Sequence, residues 1–180
     1  LNPTSGELDR RNLVEKVWQV TEGGDQLILG ASRLIREADR WAPAKPLRVF
    51  SNRGLAGIDG TVATAAGIAL IANEGTTRVL LGDLTLLHDA GSLAIDITEV
   101  EPNLQVIVGN DGGGSVFSSL EMAQTLDEES FARLFKTPQT VDFWHLAQAY
   151  GWGYSRVENL GQLDEALAKT GRQLIDVRLS

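Results

Sequence analysis

Two short acidic segments carry the residue types and the spacing that chemistry could use. Gly82-Asp83-Leu84 and Asn110-Asp111-Gly112-Gly113 set Asp83 and Asp111 28 residues apart, about one helical crossover between parallel strands. Each segment follows an apolar run that reads as a strand, so both carboxylates belong at one edge of a sheet. Two oxygen side chains plus loop carbonyls suit a hard cation such as Mg²⁺, which leaves its other octahedral positions to water and phosphate oxygens. The charge of the chain agrees. With 16 Lys+Arg against 24 Asp+Glu, net −8, an anionic diphosphate held here needs a metal between itself and the protein. Backbone N–H groups of a Gly-rich strand-to-helix turn would complete the cradle.

The elements that must position these groups alternate along the chain. Ser5 and Glu7 precede an amphipathic stretch in which Leu8, Val14, Val17 and Trp18 recur at helical spacing, and Gly23 and Gly24 stop it. Strands are expected at residues 27–29, 47–50, 78–81, 104–108, 154–157 and 174–177. Further helices are expected at 32–41, 61–72, 89–97, 128–135, 141–150 and 162–169. The strands are short apolar runs without polar alternation, the mark of a parallel sheet buried on both faces. Right-handed crossovers then put helices on both sides. The fold class is therefore α/β, doubly wound with a mainly parallel sheet, in one domain of 180 residues. Ligands of such folds bind beyond the carboxyl ends of the strands. Four Gly-bearing segments qualify: 30–32, 51–60, 82–89 and 109–117. Glycine as a plain cap explains any one of them. It explains less easily why each also carries a polar or acidic residue.

The spacing of GD to N-[ND]-x-G resembles the metal and diphosphate motif of thiamine-diphosphate enzymes, although Leu84 stands where they usually have a second Gly. Three stretches narrow the resemblance. Ser51-Asn52-Arg53-Gly54-Leu55-Ala56-Gly57-Ile58-Asp59-Gly60-Thr61-Val62 is similar to an SNRG-x-x-GIDG stretch. Gly82-Asp83-Leu84-Thr85 with His88-Asp89 is similar to GDL[ST]-x-x-x-D. Asn110-Asp111-Gly112-Gly113-Gly114-Ser115-Val116-Phe117 is similar to NNNGG-x-IF. All three belong to the 2-succinyl-5-enolpyruvyl-6-hydroxy-3-cyclohexene-1-carboxylate synthases of menaquinone biosynthesis. The resemblance covers the whole chain as the C-terminal, diphosphate-binding domain of that family.

It implies thiamine diphosphate and Mg²⁺ (or Mn²⁺) as cofactors, with isochorismate and 2-oxoglutarate as substrates. Asp83, Asp111 and the carbonyl of Gly113 would hold the metal; a neighbouring register through Asn110 and Gly112 stays open, since many relatives have Asn where Asp111 stands. Gly82, Asp83, Leu84 and Thr85 would meet the diphosphate, and Ile58 would wedge the cofactor into its bent form. Ser32, Arg36 and Arg53 would meet substrate carboxylates, while Val116, Phe117 and Leu120 would form an apolar wall. The resemblance places the catalytic Glu on an N-terminal pyrimidine-binding domain contributed by a partner subunit of a homodimer or homotetramer. No catalytic residue is then expected on this chain. It is expected to be a C-terminal fragment, inert alone, with apolar side chains exposed near Ile58 and Phe117.

Plainer readings stand beside these. Ile58 alone would be packing. Arg36, four residues after Ser32, would be solvated or an i,i+4 partner. Arg53 is harder to dismiss, because a guanidinium in a Gly-rich loop suits bidentate carboxylate binding. His88 and His145 read as structural, and the aromatic residues at 151–154 as core or interface. Another thiamine-diphosphate lyase, acetolactate-synthase-like, shares the metal motif but not the run from Arg53 to Val62. A noncatalytic nucleotide-binding module is the third reading. The acidic charge argues against nucleic acid as a partner. No apolar run nears the ~18 residues of a membrane span, no signal peptide is visible, and the absence of Cys removes disulfides and thiolate chemistry. Cytoplasm is the expected compartment.

Overall fold

The first helix, α1 (Arg10–Val20), starts where the Asp9 carboxylate accepts the Asn12 N–H at 2.7 Å, an N-cap that satisfies one orphan donor. Its apolar stripe Leu13, Val14 and Val17 is buried. The computed structural model describes residues 8–179, so Ser5 and Glu7 lie outside the described residues. Then follow β1 (Gln26–Leu29), α2 (Arg33–Trp41), β2 (Arg48–Phe50), α3 (Thr61–Ile71), β3 (Thr77–Gly82) and α4 (Asp83–His88). After them come β4 (Leu104–Asn110), α5 (Met122–Thr125), α6 (Glu128–Phe131), α7 (Phe143–Ala149), β5 (Gly153–Val157), α8 (Leu160–Leu167) and β6 (Gln173–Arg178).

The six strands form one parallel sheet in the order β2-β1-β3-β4-β6-β5, as the alternation of elements predicts. Successive strand residues point to opposite faces, and both faces are covered. Leu27, Leu29, Leu80, Ile107, Ile175 and Val177 pack with α1, α2 and α8. Ile28, Val79, Leu81, Val106, Val108 and Leu174 pack with α3, α4 and α7. This double burial is why the strands lack polar alternation. Leu80→Ala at the centre would cost about 2–5 kcal/mol. β2 is the exception: among the described residues it pairs only with β1, and Val49 and Phe50 stay exposed.

From β1 the chain goes outward to β2 and then returns past β1 to β3. The strand order reverses between β1 and β3, and the crevice beyond their carboxyl ends is the ligand position of an open α/β sheet. One expected element is displaced. The helix foreseen at 89–97 forms instead at Asp83–His88, followed by a 3₁₀ turn at Ala90–Leu93. Asp89 ends α4 by turning its carboxylate to another helix, Gly91 is a poor helix former, and Asp96 closes a turn onto the Thr98 N–H at 2.8 Å. No helix among the described residues is long and apolar enough to cross a membrane.

Candidate active site

Strand register decides which groups meet. β3 and β4 pair Gly82 with Gly109, so Asp83 and Asn110 leave the sheet side by side and Asp111 follows one residue later. Asp83 is buried, 6% exposed. Its two oxygens accept the Leu84 and Gly113 N–H groups, each at 2.7 Å. Among the described residues no Lys, Arg or His pairs with it. Burial pushes its carboxyl above the ordinary value and the Asp111 charge adds to that, against the pull of the Leu84, Gly113 and Gly112 N–H groups.

Its neighbours differ in their partners. Asp111 is ion-paired with Arg10 of α1. Asn110 is nearly buried; its Nδ2 donates to Asp176 on β6 at 2.9 Å, and its Oδ1 accepts the Gly112 N–H at 3.3 Å. An acceptor-only carboxylate and an N–H donor thus agree on one amide orientation, nitrogen to the sheet and oxygen to the loop. The Tyr154 hydroxyl donates to the other Asp176 oxygen at 2.9 Å. Burial, joined by the Asp176 charge, pushes the Tyr154 phenol up.

The loop after β4 is pinned from outside. α6 runs on as a π-helical turn at Ala132–Lys136, and the Lys136 carbonyl accepts the Gly114 N–H at 2.7 Å. At Gly113, with φ 133°, a Cβ would sit 2.3 Å from that carbonyl oxygen; at Gly114 it would sit 2.6 Å from the Phe135 oxygen. Only glycine lets the loop come this close. Beyond it Phe117 meets Phe135 edge-on, ring centroids 5.5 Å apart, and Phe135 stacks on Phe131. Val116 and Phe117 are half-buried, and Leu120 is exposed.

The segment after β2 is held at both ends and open in the middle. Ser51 Oγ donates to the Leu29 carbonyl at 2.9 Å, and Asn52 Nδ2 reaches the Gly60 carbonyl and Thr64 Oγ1 at 3.2 and 3.0 Å. From the far side Asp89 accepts the Val62 and Ala63 N–H groups at 2.7 and 3.1 Å. It thereby satisfies orphan donors of α3 and ties the helix that starts at Asp83 to the helix that starts just after Ile58. Between these anchors Arg53 and Leu55 are exposed and Ile58 is half-buried. Asp89 belongs to the quoted motif, and this contact is its structural role.

Ser32, in the turn from β1 to α2, has φ 92° and ψ −137°, a region that costs a non-Gly residue about 1–3 kcal/mol and clusters at ligand sites. Its carbonyl accepts the Arg36 guanidinium. A cavity of about 230 Å³ is lined by Gly82, Asp83, Leu84, Thr85, Asp111 and Gly113. A second, of about 550 Å³, is lined by Arg33, Arg36, Glu37, Arg53 and Leu120. Ala31, Ser32, Arg33, Ile58, Val116 and Phe117 line both, which makes the two one cleft at the reversal of strand order. Asn110 and Gly112 face a smaller recess behind Asp83. The first cavity sets two carboxylates, Asp83 and Asp111, against two guanidiniums, Arg10 and Arg33; the second sets three guanidiniums against one carboxylate.

Sequence reasoning passed over Arg10, Arg33 and Asp176. Arg33 had a signal, since it sits beside Ser32 at the start of a helix. Arg10 had none, being 101 residues from its partner. The two histidines lie at the surface, His145 3.0 Å from Asp142 at the start of α7, while Trp152 is core, its Nε1 donating to the Leu93 carbonyl at 2.8 Å.

The donor set fits a hard cation and a diphosphate. A buried carboxylate without a counter-charge, a second oxygen beside it and a glycine turn at a helix start are what such a ligand pair requires. No group of three or more His, Cys, Asp or Glu is gathered among the described residues, so backbone oxygens would have to complete the shell. Comparison with known proteins converges on the same chemistry. The chain is 53% identical to the 2-succinyl-5-enolpyruvyl-6-hydroxy-3-cyclohexene-1-carboxylate synthase of Clavibacter michiganensis subsp. michiganensis, over 96% of this chain and 31% of the relative. It is 51% identical to the synthase of the same name from Leifsonia xyli subsp. xyli (96% and 31%) and 45% identical to that of Paenarthrobacter aurescens (91% and 30%). The chain thus spans about a third of the length of these curated relatives. Residues 34–177 match the model of the thiamine pyrophosphate enzyme C-terminal TPP-binding domain, thiamine pyrophosphate being another name for thiamine diphosphate. With three-quarters or more of the chain inside that match and the cleft where a diphosphate belongs, the chain belongs to the C-terminal TPP-binding domain family of thiamine pyrophosphate enzymes.

Proposed function

We propose that the chain is the C-terminal cofactor domain of a 2-succinyl-5-enolpyruvyl-6-hydroxy-3-cyclohexene-1-carboxylate synthase, which joins 2-oxoglutarate to isochorismate with loss of CO₂ in menaquinone biosynthesis. The observation that carries the reading is the single cleft in which the acidic Gly82–Thr85 turn, the Ile58 segment and the guanidiniums of Arg36 and Arg53 converge. Both substrates are dicarboxylic acids, and an acidic domain would repel them without such local cations. The relatives' name supports the same activity.

Asp83 would anchor Mg²⁺ (or Mn²⁺). Of the two registers open for the second ligand, Asp111 with the Gly113 carbonyl shares the cavity with Asp83 and the diphosphate turn, whereas Asn110 and Gly112 face the recess behind it. The backbone of Gly82, Leu84 and Thr85 would meet the diphosphate. Ile58 would support the bent cofactor from the open side. Arg36 and Arg53 would orient substrate carboxylates through charge-assisted bonds, with Ser32 held in its strained turn between them and the cofactor. Val116, Phe117 and Leu120 would exclude water from the reacting end. When bound, the thiazolium supplies the electron sink for decarboxylation.

The volume of the first cavity, about 230 Å³, is below the ~300 Å³ of ordinary cofactor-sized pockets, in keeping with a second wall from a pyrimidine-binding domain of a partner subunit. That domain would also contribute the catalytic Glu, in a homodimer or homotetramer working in the cytoplasm. The test is Mg²⁺-dependent titration of thiamine diphosphate into the complete enzyme, followed by turnover with isochorismate and 2-oxoglutarate. Cofactor binding with turnover of pyruvate alone would assign an acetolactate-type lyase instead. No metal-linked binding at all would sink the reading.

A further inference from the structure

The three guanidiniums of the second cavity are not equivalent. Arg36 and Arg53 are exposed and line that cavity alone, whereas Arg33 is half-buried and lines both. Among the described residues it is the one charged residue in the lining that the two cavities share. It opens α2, directly after Ser32 in its strained turn. Part of the Arg36 fork is already spent on the Ser32 carbonyl. The Arg33 fork is not: among the described residues no hydrogen bond takes up its donors, and its carboxylate neighbour, Glu37, stands 3.9 Å away, beyond hydrogen-bond distance. Glu37 is held back on the next turn of α2, where its other oxygen accepts the Trp41 Nε1–H at 3.0 Å. Arg33 thus keeps its donors free where partial desolvation strengthens a charged hydrogen bond.

We propose that Arg33 is a substrate-binding residue that selects the oxo acid, by taking up the far carboxylate of 2-oxoglutarate. This rests on the synthase reading above and adds to it a residue and a division of labour. The two acids bring four carboxylates and one leaves as CO₂, so three must be held, and Arg36 and Arg53 account for two. The oxo acid reacts through its oxo carbon at the cofactor end, and two methylene groups separate that carbon from the carboxylate that stays. This carboxylate ends at the seam of the two cavities, where Arg33 stands. The second acid enters through the wider cavity, with Arg36 and Arg53. A guanidinium offers a carboxylate two parallel N–H donors, and an oxo acid without the far carboxylate leaves them unpaired, which is how a polar site rejects the shorter analogue. Glu37 offsets the Arg33 charge while no acid is bound.

The experiment uses the complete enzyme with Mg²⁺ and thiamine diphosphate, as wild type, Arg33→Met, Arg33→Lys and Glu37→Gln. Isothermal titration reads the binding of glutarate, which has both carboxylates but no oxo group to react. Michaelis constants for 2-oxoglutarate and isochorismate, cofactor affinity, and turnover of pyruvate as the oxo acid without a far carboxylate are measured beside it. In Arg33→Met, loss of one charged partner predicts about tenfold weaker glutarate binding and a Michaelis constant for 2-oxoglutarate about tenfold higher. The preference for 2-oxoglutarate over pyruvate falls by a similar factor, while isochorismate and the cofactor bind as before. Arg33→Lys keeps the charge but not the fork and recovers part of the loss; Glu37→Gln, without the competing charge, binds glutarate more tightly than wild type. Wild-type values for glutarate and 2-oxoglutarate in Arg33→Met, an equal rise for isochorismate, or a wild type that does not bind glutarate would overturn the proposal. Should Arg33→Met fail to fold, the same measurements on Arg33→Lys decide, and wild-type values there overturn it. A wild type without metal-linked cofactor binding, or without turnover of 2-oxoglutarate with isochorismate, would instead overturn the synthase reading itself.

Discussion

The two ends of the sheet treat a buried carboxylate in opposite ways. Asp25 stands just before β1 at the amino edge, and Asp83 just after β3 at the carboxyl edge. Both are nearly inaccessible, at 9% and 6% exposed. Asp25 accepts the Thr76 and Glu22 N–H groups at 2.7 and 2.9 Å and pairs with the buried Arg78 at 2.6 Å. Arg78 in turn donates to Gln105, whose amide closes on the Leu167 and Lys169 carbonyls. Burial pushes the Asp25 carboxyl up, but the N–H groups and Arg78 together win and hold it below its ordinary value. At Asp83 no cation among the described residues answers, and burial keeps the carboxyl raised. One end is closed by the protein's own side chains. At the other the Asp83 carboxylate itself is left without a counter-charge, which is where a metal ion can bind with a gain.

Arg78→Met should break the closed end most severely. Stranding buried Asp25 without its cation costs about 3–5 kcal/mol, read as a fall in the urea midpoint, while the carboxyl edge keeps its geometry. Equal stability of variant and wild type would mean that the amino edge is not held by charge.

Asp83→Asn should do the reverse. Ligand-free stability holds or rises, because an unbalanced buried charge is gone. Thiamine diphosphate affinity with Mg²⁺ in the complete enzyme should fall on the order of 100-fold, by fluorescence titration. Unchanged cofactor binding would show that the open end serves some other ligand.

Arg53→Ala sharpens the contrast between the two arginines. Arg53 is exposed and, unlike Arg78, is not built into the core, so stability should not move. The Michaelis constant for an acidic substrate should rise about tenfold, the loss of one charged hydrogen bond, with cofactor affinity kept. Wild-type kinetics for both acids would remove Arg53 from the site.

The smallest effect is the dependence on pH. Asp25 contributes stability that is present above its unfolded value near 3.8 and is lost as pH falls through its depressed folded pKa. The penalty at Asp83 is complete above its raised folded pKa and fades as pH falls through that value toward 3.8. Urea unfolding across acidic pH should therefore show wild type losing ground to Asp25→Asn and gaining ground on Asp83→Asn. Parallel curves would erase the distinction between the ends.

Much of this molecule can be read from local pattern. Short apolar runs such as the one in β4 announce a sheet buried on both faces, because every side chain in them finds a covered surface. Gly-rich turns after those runs mark the ligand edge, and the segments around Arg53 and Asp83 identify the chemistry, since each is contiguous in the chain. The displaced α4 was misread because apolar spacing at 89–97 says nothing of Asp89, whose carboxylate is spent on the Val62 and Ala63 N–H groups.

What tertiary structure alone decided are the contacts that join distant positions. The β3–β4 register brings the segments that carry Asp83 and Asp111 to one edge of the sheet, where both line one cavity. Asp176, 66 residues beyond Asn110, orients its amide. The π-turn at Ala132–Lys136 leaves room for nothing but glycine at 113 and 114, and Arg10 reaches across 101 residues to Asp111. Periodicity and turn chemistry act over a few residues, and so are written in the sequence. Register, counter-charge and side-chain orientation depend on which strands and helices become neighbours, and that exists only once the chain has folded.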